Sequence, residues 1–190
     1  MAPESGTSGR RRARGGRSLP IMSAMSYRAA VLTVSDGVSR GVREDASGDA
    51  VAELLREAGY LVTRRVVADD RGTIERTLRD LAGEAALVVT TGGTGLGPRD
   101  VTPEATRSVI EREAPGLGEA MRAAGRASTP LADLSRGTAG SVGTTLVVNL
   151  PGSPGGAVES LRAVLPILPH AMDLLSGAGD HEQTGTGRSR

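Results

Sequence analysis

A glycine-rich turn and a few aspartates carry the chemistry that this sequence can support. Gly92-Gly93-Thr94-Gly95 follows the aliphatic run Leu87–Thr91 and precedes Thr102-Pro103-Glu104, where Thr is expected to cap a helix. Glycines let the backbone turn sharply and approach a ligand, and a helix N-terminus attracts anions. Asp100 lies at the far end of the turn, where it would repel an anion unless a metal ion or a proton intervened. The pattern therefore favours a site for a phosphate or another anion, with a metal ion or a proton beside Asp100.

Two further carboxylates, Asp69 and Asp70, follow another apolar run. Either of them could simply cap the next helix, and Asp100 could simply interact with a helix dipole. Placed together at the rim of a phosphate site, such carboxylates are typical Mg²⁺ ligands. Magnesium held between carboxylates and substrate phosphates is a common arrangement in phosphoryl and nucleotidyl transfer.

Composition excludes several other kinds of chemistry. The 190 residues include no cysteine, and all 23 basic residues are arginines. Thiol nucleophiles, thiolate metal sites, Schiff bases and a phosphate-binding P-loop lysine are therefore excluded. The two histidines are His170 and His181. We expect His170 to be a packed or C-terminal helix residue rather than a catalytic base, so an enzyme with this sequence must rely on carboxylates, hydroxyls, arginines and backbone amides.

The ends of the chain differ from its centre. Residues 1–25 and 177–190 are polar and are expected to be disordered tails around one domain at residues 26–176. Five arginines lie in the first 21 residues, and they form either a solvated tail or an arm that binds nucleic acid or another anionic surface. The mildly acidic centre with two tyrosines predicts no nucleic-acid partner. No apolar run predicts a signal peptide or a membrane span, which favours a cytoplasmic protein.

Apolar runs and helical spacing alternate along the central part. Four strands are predicted, at residues 29–34, 61–67, 87–91 and 144–150, the second of them nearer an edge. Helices are predicted at residues 49–58, 73–81, 102–110, 115–127 and 157–175, the last with breaks at its prolines, and residues 129–143 are predicted to be loop. This alternation predicts an α/β fold with a parallel sheet and helices on both faces.

The special residues follow strands in this scheme, and the carboxyl ends of parallel strands share one edge of the sheet. We expect four segments to meet there: Ser35-Asp36, Asp69-Asp70, residues 92–95 and Pro151-Gly152. The glycine spacing is not that of a dinucleotide-binding fingerprint. Arg99 could hold a phosphate or pair with an acid, and the proline-glycine segment could be a plain turn or a rigid pocket wall.

Several strings resemble the Mog/MoaB family of molybdenum cofactor biosynthesis proteins. The most specific runs from Thr90-Thr91-Gly92-Gly93-Thr94-Gly95 through Pro98-Arg99-Asp100-Val101-Thr102-Pro103-Glu104-Ala105. Supporting matches are Leu32-Thr33-Val34-Ser35-Asp36-Gly37, Leu134-Ser135-Arg136 and Asn149-Leu150-Pro151-Gly152-Ser153-Pro154. The resemblance covers residues 28–176. Gly155-Gly156 departs from the bulkier residues associated with that position.

The resemblance implies a three-layer α/β/α sandwich with a mostly parallel central sheet, assembled as a homotrimer or a dimer of trimers. It implies an enzyme, a molybdopterin adenylyltransferase, that uses Mg²⁺ and ATP and works alongside other cofactor-biosynthesis proteins. Asp69 and Asp100 match the family's two important aspartates and would hold the metal. The substrate pocket would be lined by Ser35, Asp36, Gly92, Gly93, Thr94, Gly95, Ser135, Pro151 and Gly152. A non-catalytic molybdopterin-binding or carrier protein of the MoaB type remains the alternative.

Overall fold

The computed structural model of this protein describes residues 27–178. Apart from Gly177 and Ala178, the tails expected at residues 1–25 and 177–190, with the arginine-rich stretch, lie outside the described residues. The strands are β1 (Arg28–Val34), β2 (Leu61–Val67), β3 (Leu87–Thr91), β4 (Arg112–Glu113), β5 (Ala139–Val142) and β6 (Thr145–Leu150). The α-helices are α1 (Asp36–Ser39), α2 (Ala46–Glu57), α3 (Arg71–Ala82), α4 (Thr102–Arg107), α5 (Pro115–Gly125), α6 (Pro154–Val164) and α7 (Leu168–Ser176).

The strands form one mixed sheet in the order β2-β1-β3-β6-β5-β4. Neighbours among β2, β1, β3 and β6 pair in parallel, whereas β5 pairs with β6 and β4 with β5 in antiparallel orientation. The four parallel strands are the ones that the sequence predicts, and β2 lies at an edge. The expected mostly parallel sheet is therefore confirmed.

Helices cover both faces of the sheet because alternate strand residues point to opposite sides. On one face Val31, Val89 and Val148 are buried against α2, α5, α6 and α7. On the other face Leu32 and Val88 are buried against α3 and the segment around α4. The two separate apolar cores confirm the three-layer α/β/α sandwich.

One predicted loop proves to be structured. Residues 129–143 contain a 3₁₀ helix, Pro130–Leu134, and the strand β5. The loop prediction was wrong because Ala139-Gly140-Ser141-Val142 has no apolar period of its own. This strand is specified by its antiparallel pairing with β6, whose partner residues are all buried.

One predicted helix cap needs correction, and the predicted proline breaks in the last helical stretch are confirmed. The cap of α4 is Val101, without a side-chain hydrogen bond, and Thr102 is the first helical residue. The stretch predicted at residues 157–175 is split into α6, a 3₁₀ turn at Leu165–Ile167 and α7, with prolines in the first turns of the later segments. Proline lacks the N–H that a continuing helix needs, so the breaks fall where expected.

Tyr27 immediately precedes β1 and Tyr60 immediately precedes β2, and both side chains have raised pKa values. The Tyr27 hydroxyl donates a hydrogen bond to Asp173 on α7, and this bond, with partial burial, raises the pKa of Tyr27 to about 12. Burial, with a smaller contribution from Tyr27, raises the pKa of Tyr60 to about 12. The folded state therefore favours both neutral phenols.

A spectrophotometric titration tests these tyrosine environments. Unfolded tyrosine ionises near pH 10, so the stabilisation is complete below about pH 10 and is lost as the pH rises towards 12. We expect the 295-nm absorbance of the folded protein to rise near pH 12, with circular dichroism reporting the folded state. Asp173→Asn should lower the midpoint of Tyr27 only. Ionisation of both residues near pH 10 in the folded protein would contradict this assignment.

Within residues 27–178, no helix combines the length and apolar character needed to cross a membrane.

Candidate functional site

The carboxyl ends of the four parallel strands lie side by side, as their register requires. Val34 pairs with Val67, and Thr91 pairs with both Thr33 and Leu150. The segments that follow these strands therefore meet at one edge of the sheet. The structure brings together all four stretches that the sequence singles out.

Asp36 and Asp69 bind each other across this edge. The Asp36 N–H donates to Asp69 Oδ2 at 2.7 Å, and the Asp69 N–H donates to Asp36 Oδ1 at 3.2 Å. Each carboxylate thus fixes the backbone of the other segment, although 33 residues separate them. This reciprocal pair locks the loop after β1 to the loop after β2.

Arg99 pairs with Asp36 in this structure. Its Nη2 lies 2.5 Å from Asp36 Oδ2, and its side chain remains 65% exposed. Partial desolvation raises the pKa of Asp36, but the Asp69 N–H and the Arg99 guanidinium outweigh it, so the pKa lies below its ordinary value. Of the two roles considered for Arg99, the structure shows the ion pair.

Asp70 caps α3, whereas Asp69 does not. The Asp70 Oδ1 accepts hydrogen bonds from the Thr73 N–H at 2.8 Å and from the Thr73 hydroxyl at 2.6 Å. These bonds hold the pKa of Asp70 below its ordinary value. The two neighbouring aspartates therefore have different structural roles.

Removing this cap should destabilise the fold without altering the site. We expect Asp70→Ala to lower the free energy of unfolding by about 1 kcal/mol, because the Thr73 N–H loses its partner. Chemical denaturation measures this loss, and Asp70→Asn, which can still cap, should be close to wild type. A loss of ligand binding in Asp70→Ala at unchanged stability would contradict a purely capping role.

Gly92 and Gly93 make the turn at backbone angles that favour glycine, with φ of +94° and +63°. A Cβ on Gly92 would lie 2.4 Å from the Val34 carbonyl oxygen, and one on Gly93 would lie 2.3 Å from Thr102 Oγ1. Gly152 also approaches closely, since its Cβ would lie 3.2 Å from the Gly92 Cα. The turn is therefore packed between β1, α4 and the segment after β6.

The carbonyl groups of residues 93–95 are all engaged by the protein. The Gly93 carbonyl accepts from the Thr102 N–H at 3.1 Å, so the first N–H of α4 is already engaged. The Thr94 and Gly95 carbonyls accept from the backbone N–H and Nε of Arg136, at 2.9 and 2.7 Å. By contrast, the N–H groups of residues 93–95 donate to nothing within residues 27–178. Successive free N–H groups form an anion-binding nest.

Asp69 and Asp100 flank the turn. Asp69 Oδ1 lies 3.6 Å from the position of a Cβ on Gly93, and Asp100 Oδ2 lies 2.9 Å from that of a Cβ on Gly95. The Gly97 N–H donates to Asp100 Oδ2 at 2.8 Å. Among the described residues, Oδ1 of each aspartate accepts no hydrogen bond. One oxygen of each carboxylate is thus available to a ligand.

A cavity of about 230 Å³ opens beside this edge, between α5, the first 3₁₀ helix and α6. Of the predicted substrate-pocket residues, Ser135 and Pro151 line it. Glu159 lines it as well, and its Oε1 accepts from the Ser128 hydroxyl at 2.7 Å. Pro151 therefore belongs to a pocket wall as well as to a turn.

Asn149 ties the two sides of the site together from within the core. Its Nδ2 donates to Thr90 Oγ1 at 3.1 Å and to Thr106 Oγ1 at 2.9 Å, and its Oδ1 accepts from the Thr138 N–H at 3.4 Å. The side chain is buried and also lines the cavity. Asn149 thus links β3, β6, α4 and the segment before β5.

Three further candidates differ in their exposure. Ser35 is buried, caps α1, and accepts a hydrogen bond from Arg43 Nη2 at 2.7 Å. Thr94 is buried, and Gly152 is exposed. Ser35 is therefore already used by the fold, whereas Gly152 is open to solvent at the same edge.

His170 is an exposed residue of α7, the last helix among the described residues, so the packed alternative was wrong. The helix begins only at Leu168, after the break that the prolines impose, and His170 therefore lies in its first turn. In that turn Leu168 faces the core and His170 faces solvent.

Sequence reasoning missed the contributions of Arg136, Glu104 and Asn149. Arg136 and Glu104 bind each other, and Arg136 also contacts the turn. All three residues stand inside strings that carry the family resemblance. Their position in those strings was the available signal, but it does not say which groups they contact.

The fold and the site define a three-layer α/β/α protein with a glycine turn of unpartnered N–H groups, among the described residues, at the carboxyl edge of its sheet. The sequence profile of the family described as "probable molybdopterin binding domain" matches residues 30–170. The chain belongs to this family.

Similar proteins and solved structures support this family assignment. A molybdopterin adenylyltransferase of Helicobacter pylori (strain J99) is 46% identical over 154 residues, covering 77% of this chain and 86% of the relative. The molybdopterin adenylyltransferase of Escherichia coli is 40% identical, covering 73% and 74%. The crystal structure of the molybdopterin biosynthesis enzyme MoaB from Thermus thermophilus matches with a TM-score of 0.75 and 51% identity, covering 80% of this chain and 97% of that one.

Proposed function

We propose that this protein transfers the adenylyl group of ATP to molybdopterin in molybdenum cofactor biosynthesis. An oxygen of the terminal phosphate of molybdopterin attacks the α-phosphorus of ATP and forms a new P–O bond. The bond between the α-phosphorus and its bridging oxygen breaks, and pyrophosphate leaves. The products are adenylyl-molybdopterin and pyrophosphate. Relatives described as molybdopterin adenylyltransferases support this reaction.

The observation that carries the proposal is the turn at residues 93–95. Its carbonyls are engaged and its N–H groups are free, so it can bind phosphate oxygens through the backbone. Two carboxylates stand beside these donors, Asp69 and Asp100. Backbone donors next to acidic residues suit a reaction in which charge moves between phosphate groups. We assign Asp69 and Asp100 as the catalytic residues.

The same residues fit a magnesium–nucleotide complex. Within residues 27–178, no three histidine, cysteine, aspartate or glutamate side chains form a metal-binding group. Magnesium in nucleotide enzymes needs only one or two protein carboxylates, since phosphates and water supply its other ligands. Asp69 and Asp100, each with a free Oδ1, are the residues that would hold it. When bound, the ion would neutralise negative charge on the ATP phosphates.

The two substrates require two adjoining regions. We assign the cavity lined by Ser135 and Pro151 to the pterin, because these residues adjoin Arg136 and Gly152, which contact the turn. Neither Tyr27 nor Tyr60 lines this cavity, so ring recognition there would rest on hydrogen bonds. Ser35, Asp36 and Gly152 lie at the same edge and complete the substrate pocket in this proposal.

The direct test is pyrophosphate release from ATP and magnesium chloride with and without molybdopterin. We expect release only when molybdopterin is present, together with a product whose mass equals molybdopterin plus one adenylyl group. Equilibrium binding of molybdopterin is measured on the same preparation. A folded protein that binds molybdopterin and releases no pyrophosphate would refute adenylyl transfer.

A second candidate function is molybdopterin binding without catalysis. The description of the matching family names molybdopterin binding and no reaction, and this is the observation that favours it. This candidate predicts binding without turnover in the same experiment. The flanking pair of aspartates favours the enzyme, because an anion carrier gains nothing from negative charge at its phosphate site.

The proposal also includes the oligomeric state and the cellular location of the protein. The family resemblance supports a homotrimer, which should show three times the mass of the 19.4-kDa chain by light scattering, or six times that mass for a dimer of trimers. The exposed side chains of Leu131, Ile167 and Leu174 are compatible with such contacts. Use of ATP and hand-over of the product to other cofactor-biosynthesis proteins fit a cytoplasmic location.

A further inference from the structure

Arg136 makes four contacts with the segment that contains the anion-binding turn. Its backbone N–H donates to the Thr94 carbonyl at 2.9 Å, and its Nε donates to the Gly95 carbonyl at 2.7 Å. Its Nη2 donates to the Asp100 carbonyl at 2.6 Å, and its Nη1 pairs with the Glu104 carboxylate. One residue thus holds the Thr94–Gly95 end of the turn, the Asp100 backbone and the first turn of α4.

These contacts determine where the free N–H groups point. In a trans peptide the C=O of one residue and the N–H of the next point in opposite directions. A Thr94 carbonyl held by Arg136 therefore turns the Gly95 N–H away from Arg136, and a Gly95 carbonyl held by Arg136 does the same for the Leu96 N–H. Neither N–H donates to a group within residues 27–178.

The charge of Arg136 is already neutralised. Its guanidinium pairs with Glu104 and donates to two carbonyls, so its donors are directed at the protein. A side chain in this state does not offer its charge to a phosphate. Arg136 therefore acts on a ligand through the backbone that it holds.

The chain also connects Arg136 directly to the cavity. Ser135 lines the cavity, and its carbonyl accepts a long hydrogen bond from Arg122 Nη1 at 3.4 Å. The next residue, Arg136, binds the Thr94 and Gly95 carbonyls of the turn. A ligand that presses on Ser135 would thus act on the segment that orients the phosphate donors.

We propose that Arg136 is a positioning residue that orients the Gly95 and Leu96 N–H groups, and the Asp100 backbone, towards the reacting phosphates. The inference rests on the proposed function for its kinetic part only. Its structural part concerns anion binding by the turn and holds whichever reaction the protein performs.

The first experiment follows the backbone amides of the full chain by ¹H–¹⁵N NMR, with pyrophosphate as the probe. In the wild type, we expect the Gly95 and Leu96 amide signals to shift as pyrophosphate is added. In Arg136→Ala, the affinity for pyrophosphate should fall at least about tenfold, because the Gly95 and Leu96 N–H groups are no longer held in their orientation. Amide exchange of residues 95–96 should also change in the variant.

The matched control is Arg126→Ala. Arg126 forms an exposed ion pair with Asp133 at 2.8 Å, on the segment that leads to Arg136, and it contacts neither the turn nor the cavity. Its removal also deletes a guanidinium–carboxylate pair. We expect pyrophosphate affinity and the amide signals of residues 95–96 to stay within twofold of wild type, as an approximate bound for surface pairs.

The kinetic experiment separates positioning from substrate binding. We expect Arg136→Ala to lower kcat for adenylyl transfer by about 100-fold, with KM for molybdopterin changed by less than about threefold. Added guanidinium ion should restore part of kcat in Arg136→Ala and nothing in Arg126→Ala. Arg136→Lys has a single ammonium group that cannot reach both carbonyls and Glu104. This variant should fold normally, with a kcat between those of the wild type and Arg136→Ala.

The outcomes distinguish this inference from the proposed function. A wild type that shows the pyrophosphate-dependent amide shifts but no adenylyl transfer would refute the proposed function and leave Arg136 supported. Wild-type amide shifts and affinity in Arg136→Lys and Arg136→Ala would overturn the role of Arg136. Absence of any pyrophosphate effect at residues 95–96 in the wild type would overturn it too. Should Arg136→Ala fail to fold, Arg136→Lys decides.

Discussion

Asp100→Asn and Asp69→Asn are each expected to lower the rate of molybdopterin-dependent pyrophosphate release by about 100- to 1,000-fold, the range typical of a lost electrostatic group at a reacting centre. Each aspartate flanks the turn at residues 92–95 and keeps one oxygen free among the described residues. The asparagine variants remove one negative charge and replace a free acceptor oxygen with an amide donor.

The same substitutions preserve the local fold, which makes the expected loss informative. The asparagine oxygen can still accept from the Gly97 N–H at position 100, and from the Asp36 N–H at position 69. We therefore expect the free energy of unfolding to stay within about 1 kcal/mol of wild type, the usual worth of one such hydrogen bond. Chemical denaturation of each variant provides this check.

Asp70→Asn is the matched control, because it removes the neighbouring charge at a position where asparagine also caps a helix. Its rate should remain close to wild type. Molybdopterin affinity, measured by calorimetry, should be retained in all three variants. If affinity disappears together with the rate in Asp100→Asn, the residue shapes the pocket, and its catalytic assignment is wrong.

The contrast between Asp69 and Asp70 shows what the sequence could and could not decide. Both follow β2, and the pattern supports either a helix cap or a metal ligand for each. The structure separates them, because the Asp36 backbone lies beside Asp69 and the Thr73 backbone beside Asp70. The first contact joins residues 33 positions apart, and no local pattern predicts such a distance.

The same limit explains which elements were predictable. Three of the four parallel strands are buried, so they read as aliphatic runs, and Leu87–Thr91 is the clearest of them. β5 has no such run. Its Gly140 pairs with Glu113 of β4 and with Val147 of β6, and these pairings are not visible in the local sequence. Arg136 was missed for a related reason: its contacts reach back 41 residues to Gly95. Local patterns specified the central sheet, and long-range contacts specified the donors of the site.

Gly92→Ala should be the most destabilising single substitution in the site. The residue has φ of +94°, and a Cβ would lie 2.4 Å from the carbonyl oxygen of Val34, the last residue of β1. Backbone strain and overpacking each cost about 1–3 kcal/mol, so we expect a loss of about 3–5 kcal/mol in the free energy of unfolding. Because a strand carbonyl cannot move aside as a flexible side chain can, little of this strain can relax.

Gly155→Ala is the matched control for this substitution. Gly155 lies in the first turn of α6, where a Cβ meets nothing within 4 Å and φ is not positive. Alanine there should stabilise the protein by up to about 1 kcal/mol, because it forms helices better than glycine does. Urea denaturation of the two variants beside wild type gives the comparison. Similar midpoints for Gly92→Ala and Gly155→Ala would mean that the turn relaxes freely, and a turn of that kind could not hold its N–H groups ready for a phosphate.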